Sequence, residues 1–339
     1  MRARNNEMTG RFAILVVAAS LCAVPAVGSA QGEVIGDGGG ASEAAAGRPP
    51  SPASGAASGD SADAVSFEVG AGLEYDSNVA VLELDASTGA GDAAALLELG
   101  VAYDRPDDTK LDFGLGYNFS ETAHEDFSAF DVRIHRGSGN VSYDLGRFDI
   151  GATLQHADAE LDSTEFLALT QLSPYLSGLV GRRLFLRFAY LDSDKDFADN
   201  PARDATASSF SSDAYVFIDG LKTYLVFGHR YDDEDAGFDE LDYTGQRYGV
   251  QLSQRFGAGA REITLKTHLR AESRDYRVVT PSIGELRRDD RLELGVVAEI
   301  PVGQRVVTRI GIRRADNESN LPSVDFAETV ASVAFSAKL

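Results

Sequence analysis

From Val65 onward, apolar and polar side chains alternate with a period of two, and the alternation stops and restarts at turn-like clusters. Successive side chains of an extended strand point to opposite faces, so each run predicts a strand with one apolar face. "REITLKTHLR" at 261–270 puts Ile263, Leu265, Thr267 and Leu269 on one side, and Glu262, Thr264, Lys266, His268 and Arg270 on the other. "KLDFGLGYNFS" at 110–120 sets Leu111, Phe113, Leu115 and Tyr117 against Lys110, Asp112, Gly114 and Gly116. "RRLFLRFAY" at 182–190 sets Leu184, Leu186, Phe188 and Tyr190 against Arg183, Phe185 and Arg187. About 14 such runs follow one another, the last ending the sequence. The run near 127–145 slips phase around "RGSG", which predicts a bulge, and the run at 165–177 is the least regular.

The apolar face looks either into the core of a soluble sandwich or at lipid. The connections decide for lipid. Those after the even-numbered runs are short: "RPDD", "LGR", "GLVG", "DG", "GAGA" and "PVGQ". Those after the odd-numbered runs read as long and acidic, such as "DSDKDFADNPARD" at 192–204 and "YDDEDAGFDELD" at 231–242. Bacterial outer-membrane barrels have short periplasmic turns and longer external loops. Aromatics including Tyr75, Tyr103, Tyr143, Phe148, Tyr190, Phe210, Tyr231, Tyr243 and Tyr276 gather at run ends, where an interfacial girdle belongs. The predicted fold class is all-β, a transmembrane antiparallel up-and-down β-barrel of about 14 strands. An even count leaves both ends of the barrel chain on the periplasmic side. An Arg or Lys facing mid-bilayer costs roughly 2–4 kcal/mol, so the charged side of each run is assigned to the lumen.

The N-terminal residues agree with export. Arg2, Arg4 and Arg11 precede an apolar run from Phe12 to about Val27 and small residues Gly28 and Ala30, the order of a secretory signal peptide at 1–30. Cleavage there removes Cys22, the only cysteine in the sequence. Residues 31–64 are Gly, Ala, Ser and Pro with almost no bulky side chain, the composition of a disordered periplasmic segment. The barrel is assigned to 65–339.

Composition narrows the function. With 31 basic and 53 acidic residues, net −22, a nucleic-acid partner is excluded. The acidic stretches offer oxygen ligands of the kind calcium takes, without the spacing of a calcium hand; a plain solvated loop explains them equally. No Gly-x-Ser-x-Gly or His-Glu-x-x-His occurs, and the five histidines are scattered singly, so no enzyme and no cofactor are called for. His156 and His229 stand near strand ends. The lumen-lining candidates are Glu68, Lys110, Asp112, Arg133, Arg187, Asp213, Arg247, Lys266, Arg270, Glu293, Arg309 and Arg313. Their basic members crowd onto the C-terminal runs. They either orient a passing solute or pair across a closed interior.

Five stretches carry a resemblance: "GLEYDSNV", "GYNFS", "VSYDLGRFDIGATL", "YDDEDAGFDELDYTGQRYGVQLSQRF" and "RRADNESNLPSVDF". On them the sequence resembles the C-terminal barrel domain of the surface lipoprotein assembly modifier family, and more loosely the barrels of exopolysaccharide exporters. The resemblance implies a fourteen-stranded barrel behind a periplasmic helical-repeat domain, acting in the delivery of lipoproteins to the cell surface. No paired helical repeats are read before Val65, and Leu339 stands where an aromatic is typical, with Phe335 on the same face. The expected function is transport or surface export, as an accessory of lipoprotein assembly or as a passive pore. The alternative is a structural or adhesive barrel acting through its acidic loops. The expected surroundings are outer-membrane lipid and lipopolysaccharide, with the barrel-assembly machinery and either a surface lipoprotein or a small polar solute as partners.

Overall fold

The computed structural model describes residues 65–105, 110–257 and 262–339. The signal peptide, the Gly/Ala/Ser/Pro segment and most of the turns "RPDD" and "GAGA" lie outside the described residues. The barrel strands are β1 (Val65–Asp76), β4 (Asp92–Asp104), β5 (Leu111–His124), β6 (Val132–Asp144), β7 (Phe148–Leu161), β8 (Thr164–Val180) and β9 (Leu184–Phe197). They continue with β10 (Ala205–Phe217), β11 (Thr223–Ala236), β12 (Tyr243–Phe256), β13 (Ile263–Thr280), β14 (Glu285–Val302), β15 (Val306–Ser319) and β16 (Phe326–Lys338). Two short strands, β2 (Ala80–Val81) and β3 (Ala86–Ser87), form a small ribbon within the first connection. Each barrel strand pairs antiparallel with its chain neighbours, and β16 returns to β1, closing a barrel of 14 strands. Closure leaves no sheet edge, which is what a strand in lipid requires.

The alternation sets which face goes where. Leu73, Leu115, Leu154, Leu292, Leu294, Ile312 and Phe335 all point outward and are more than half exposed. Together with Phe67, Leu99, Ile150, Leu176, Phe188, Phe227, Val250 and Leu269 they wrap the barrel in an apolar band. A soluble monomer rarely exposes an apolar patch of more than a few hundred Å². The band is the lipid-facing surface of a transmembrane barrel. Within β13, Leu265 and Leu269 share the outward face, while Lys266, His268 and Arg270 turn inward.

Several expectations need correcting. The acidic stretches are strand tops rather than long loops. β9 runs to Phe197 and β10 starts at Ala205, so only residues 198–204 connect them, and only 237–242 join β11 to β12. On β9, Asp192, Asp194 and Asp196 are exposed while Ser193 and Phe197 are buried. β7 and β8 meet through a tight external turn at Asp162 and Ser163, both left-handed (φ 50° and 61°), the backbone of a type I′ hairpin. β6 carries no bulge at "RGSG"; the irregularity lies instead between Ala159 and Glu160 in the β7–β8 ladder. Tyr243 and Tyr276 are buried and face inward, where their rings pair at 5.6 Å. They belong to the interior and not to the girdle.

Candidate functional site

The interior has two unlike walls. On β4–β7 many inward positions are small or uncharged, among them Gly100, Gly116, Asn118, Ser138, Asn140, Ser142, Thr153 and Gln155, beside the charged Glu98, Asp112, Arg136 and Asp149. On β13 and β14 they are mostly long and charged, and β12, β15 and β16 add Arg247, Arg255, Arg309, Arg313 and Glu328. Ten of the residues expected to line the lumen lie on the inward faces of their strands: Glu68, Asp112, Arg187, Asp213, Arg247, Lys266, Arg270, Glu293, Arg309 and Arg313. Asp112 is near the start of β5 and exposed. Lys110 is exposed in the turn before β5.

Arg133 is a correction, because it faces outward. β6 stays in one phase, so Arg133 shares its face with exposed Val141 and Tyr143. Near the top of the barrel it bridges Glu121 of β5 at 2.7 Å and Glu160 of β7 at 2.8 Å, its direct neighbours in the register. Two carboxylates on flanking strands neutralise it where the band gives way to polar surface.

The charged wall is a lattice of ion pairs. Lys266 reaches Glu299 at 3.0 Å. Glu293 accepts from His268 at 3.0 Å, Arg291 at 3.2 Å, Arg270 at 3.4 Å and Arg313 at 3.5 Å. Arg313 also bonds Glu328 at 2.7 Å, and Arg247 and Arg274 share Glu272 at 3.0 and 2.7 Å. Arg309 reaches past β16 to Glu68 at 3.2 Å and Glu98 at 3.7 Å, tying the end of the barrel to its beginning. Taking such charges from water is repaid only when each has close opposite partners, and here each carboxylate has at least one cation within 4 Å. A cavity of about 10 Å³ lies among Arg247, Arg270, Glu272, Arg291 and Glu293.

Two apolar clusters also fill the interior, and the sequence reading missed both. Near the outer end, Ile134, Ala157, Ala159, Leu167 and Phe197 pack together. Near the opposite end, Phe185, Tyr215, Phe217 and Tyr224 do the same. Phe185 was visible as an aromatic on the polar side of "RRLFLRFAY". Between these clusters the Arg187 guanidinium stacks 3.8 Å from the Tyr175 ring centroid. Tyr175 donates to Asn140 Oδ1 at 3.1 Å and lies over Gly151, where any Cβ would overlap the ring.

The mouth at the end where β1 and β4 are joined is crossed by that first connection, residues 77–91. Asn78, Val79 and Val81 are buried. Asn78 Oδ1 accepts from Ser87 Oγ at 2.8 Å and Gly89 N at 2.9 Å, folding the connection on itself. Asp85 ends a short 3₁₀ turn (Leu82–Leu84) in a left-handed conformation, φ 53°. Its carboxylate accepts from Arg203 of the β9–β10 connection at 2.6 Å and from Arg287 of β14 at 2.7 Å. Arg203 also donates to the Glu83 carbonyl at 2.6 Å. A cavity of about 30 Å³ under this connection is lined by Leu82, Asp85, Arg274, Arg287, Asp289 and Val324, among others. Burial pushes the Asp85 carboxyl up, but Arg287 and Arg203 outweigh burial and hold it below its ordinary value.

The histidines do not converge. His135, His156 and His229 face outward, His229 against the Tyr248 ring at 4.8 Å, and His124 pairs with Asp131 at the top of β5. Among the described residues no three His, Cys, Asp or Glu side chains are arranged to hold a metal.

No protein-family model matches the sequence, and no curated protein does. Solved barrels resemble it at low identity. An anion-selective porin from Comamonas acidovorans is 10% identical with a TM-score of 0.45, covering 81% of this chain and 98% of that one. A bacterial polysaccharide outer membrane secretin is 10% identical with a TM-score of 0.44, covering 83% and 99%. A loop-deleted form of OmpT, an outer membrane protein of Vibrio cholerae, is 10% identical with a TM-score of 0.46, covering 82% and 100%.

Proposed function

We propose that the protein is an outer-membrane barrel of a Gram-negative bacterium that passes small polar solutes to or from the periplasm. The observation that carries this reading is the difference between the two sides of the interior. Inward residues of β9 and β10 are nearly all buried, whereas Gly100, Gly116, Asn118, Ser138, Asn140 and Ser142 on β4–β6 keep part of their surface open. Small and amide side chains that stay wet along a strand support an off-centre path beside that wall. Lys266, Arg270 and Arg309 act from the far side as the field a solute crosses. The outer band lies in lipid, with lipopolysaccharide around the external half, and the barrel-assembly machinery inserts the chain.

Conductance in planar bilayers tests the proposal. Folded protein gives steady single-channel steps, and reversing Lys266, Arg270 and Arg309 to Glu moves the ion preference toward cations. Folded protein that never conducts ends the conduit reading.

A second reading is an accessory in surface lipoprotein assembly. It is favoured by the 14 strands, the number the family resemblance implies, and by the mouth connection held down by Asp85. It predicts loss of one or more surface lipoproteins on deletion, with no steady conductance.

A further inference from the structure

We propose that the arginine cluster on β12–β15 is a binding station for an oxyanion, a carboxylate or phosphate group, and so sets the class of solute the barrel takes. As a statement about solutes the inference rests on the conduit reading; as a statement about binding it does not.

The cluster is a checkerboard. In the register Arg247 faces Glu272, which faces Arg291, while in the next row Arg270 faces Glu293. Each of these two carboxylates already serves several cations. Glu272 holds Arg247 and Arg274, and Glu293 holds His268, Arg270, Arg291 and Arg313.

Arg291 is the telling member. Its Nη2 is committed to Glu293 at 3.2 Å and Glu328 at 3.3 Å. Its Nε and Nη1 are buried and have no acceptor among the described residues. The same bias runs through the interior, where Arg309 Nε and Arg187 Nη2 are also buried donors lacking an acceptor among the described residues. The demand is for acceptor oxygens. A guanidinium's bonds to an anion are charge-assisted and roughly twice as strong as neutral ones, and its planar donors suit carboxylate and phosphate.

The shape agrees. The cavity beside Arg291, about 10 Å³, has room for one oxygen-sized group. Arg270 lines it with a side chain 25% exposed, and Arg313, 36% exposed, reaches the same Glu293. One oxygen enters the cavity, and the rest of the anion lies against these two more open guanidiniums.

The test is calorimetric titration of the full-length mature protein, folded in detergent, with inorganic phosphate and separately with acetate in a constant chloride background. Saturable binding of either is expected, weakened about tenfold or more by Arg291→Gln and partly restored by Arg291→Lys, which keeps the charge but not the planar donors. Arg314→Gln, an exposed outward position paired with Asp316, leaves binding unchanged. Heat-modifiable gel mobility confirms folding, and if Arg291→Gln does not fold, Arg291→Lys alone carries the comparison. No saturable binding, or equal binding by wild type and the Arg291 variants, overturns the station. Binding without conductance overturns the conduit and leaves the station standing; conductance without binding does the reverse.

Discussion

Asp85 and Arg287 are 202 positions apart in the chain and 2.7 Å apart in the structure. Asp85 sits at the tip of the connection between β1 and β4, and Arg287 is a buried residue near the outer end of β14. With Arg203 on the other carboxylate oxygen, the pair carries the connection across the mouth and fixes it to the far side. The wall does not depend on this contact, because Arg287 also bonds Asp289 at 2.7 Å within its own strand. Asp85→Asn therefore loosens the connection and spares the barrel. Losing two charge-assisted bonds costs about 1–3 kcal/mol, which is roughly 5- to 150-fold in the population of the open connection. Native-state proteolysis of the folded protein reads this as faster cleavage within 77–91. Unchanged cleavage would show that the contact does not hold the connection.

The same carboxylate sets a pH window. Its ordinary value is 3.8, and in the folded protein it lies lower. A depressed carboxyl contributes stability that is full above the unfolded value and is lost as pH falls through the folded one. The connection is thus expected to stay closed at pH 7 and pH 5, and to open only below 3.8. Conductance or cleavage within 77–91 followed from pH 7 to pH 3 should be flat at first and rise only at the acid end. A rise near pH 6 would point to a different group.

The outward band makes a separate demand. Leu294 is 52% exposed and lies mid-strand on β14. On a solvated surface Leu294→Arg would be nearly neutral. Facing lipid it costs roughly 2–4 kcal/mol. Urea titration of folding into lipid vesicles should show a loss of that size for Leu294→Arg and for Leu269→Arg. A neutral result at both sites would remove the lipid-facing assignment.

Orientation is open to labelling. Asn200→Cys and Glu240→Cys place thiols in the connections above β9 and β11, and Asp219→Cys and Gln304→Cys place them in turns at the other end. In intact cells an impermeant maleimide should label the first two and miss the others. The reverse pattern would invert the barrel.

What the sequence made legible follows the solvent on each side of a strand. Where one face meets lipid, the period of two is written in hydrophobicity, and the β13 faces can be read directly from Leu265, Leu269, Lys266 and Arg270. Above the lipid neither face need be apolar, so in "DSDKDF" the strand continues as Asp192, Asp194 and Asp196 outside against Ser193, Lys195 and Phe197 inside, and it reads as a loop. In "HRGSGN" the outward positions Gly137 and Gly139 carry no side chain, so nothing marked the phase that puts Arg133 outside. The mouth was the least legible part. The bonds of Asp85 to Arg203 and Arg287 span 118 and 202 positions, and no local pattern announces them.

Arg187 and Asp213 are direct partners in the β9–β10 register. Arg187 is buried at 4% exposure. Among the described residues they form no salt bridge within 4 Å; the Tyr175 ring takes the face of the guanidinium instead. Removing one member strands the other charge in a packed interior, whereas removing both strands neither. Arg187→Met and Asp213→Asn should therefore each destabilise the barrel by about 1–3 kcal/mol. The double variant should recover most of that loss. In a double-mutant cycle read from urea midpoints, the coupling should exceed about 1 kcal/mol, above the scatter expected of independent sites. Additive losses would mean that the charges do not act on each other and that the Tyr175 stack alone stabilises Arg187. Tyr175→Ala in the Asp213→Asn background separates these cases, because only a stack-dependent arginine loses further stability there.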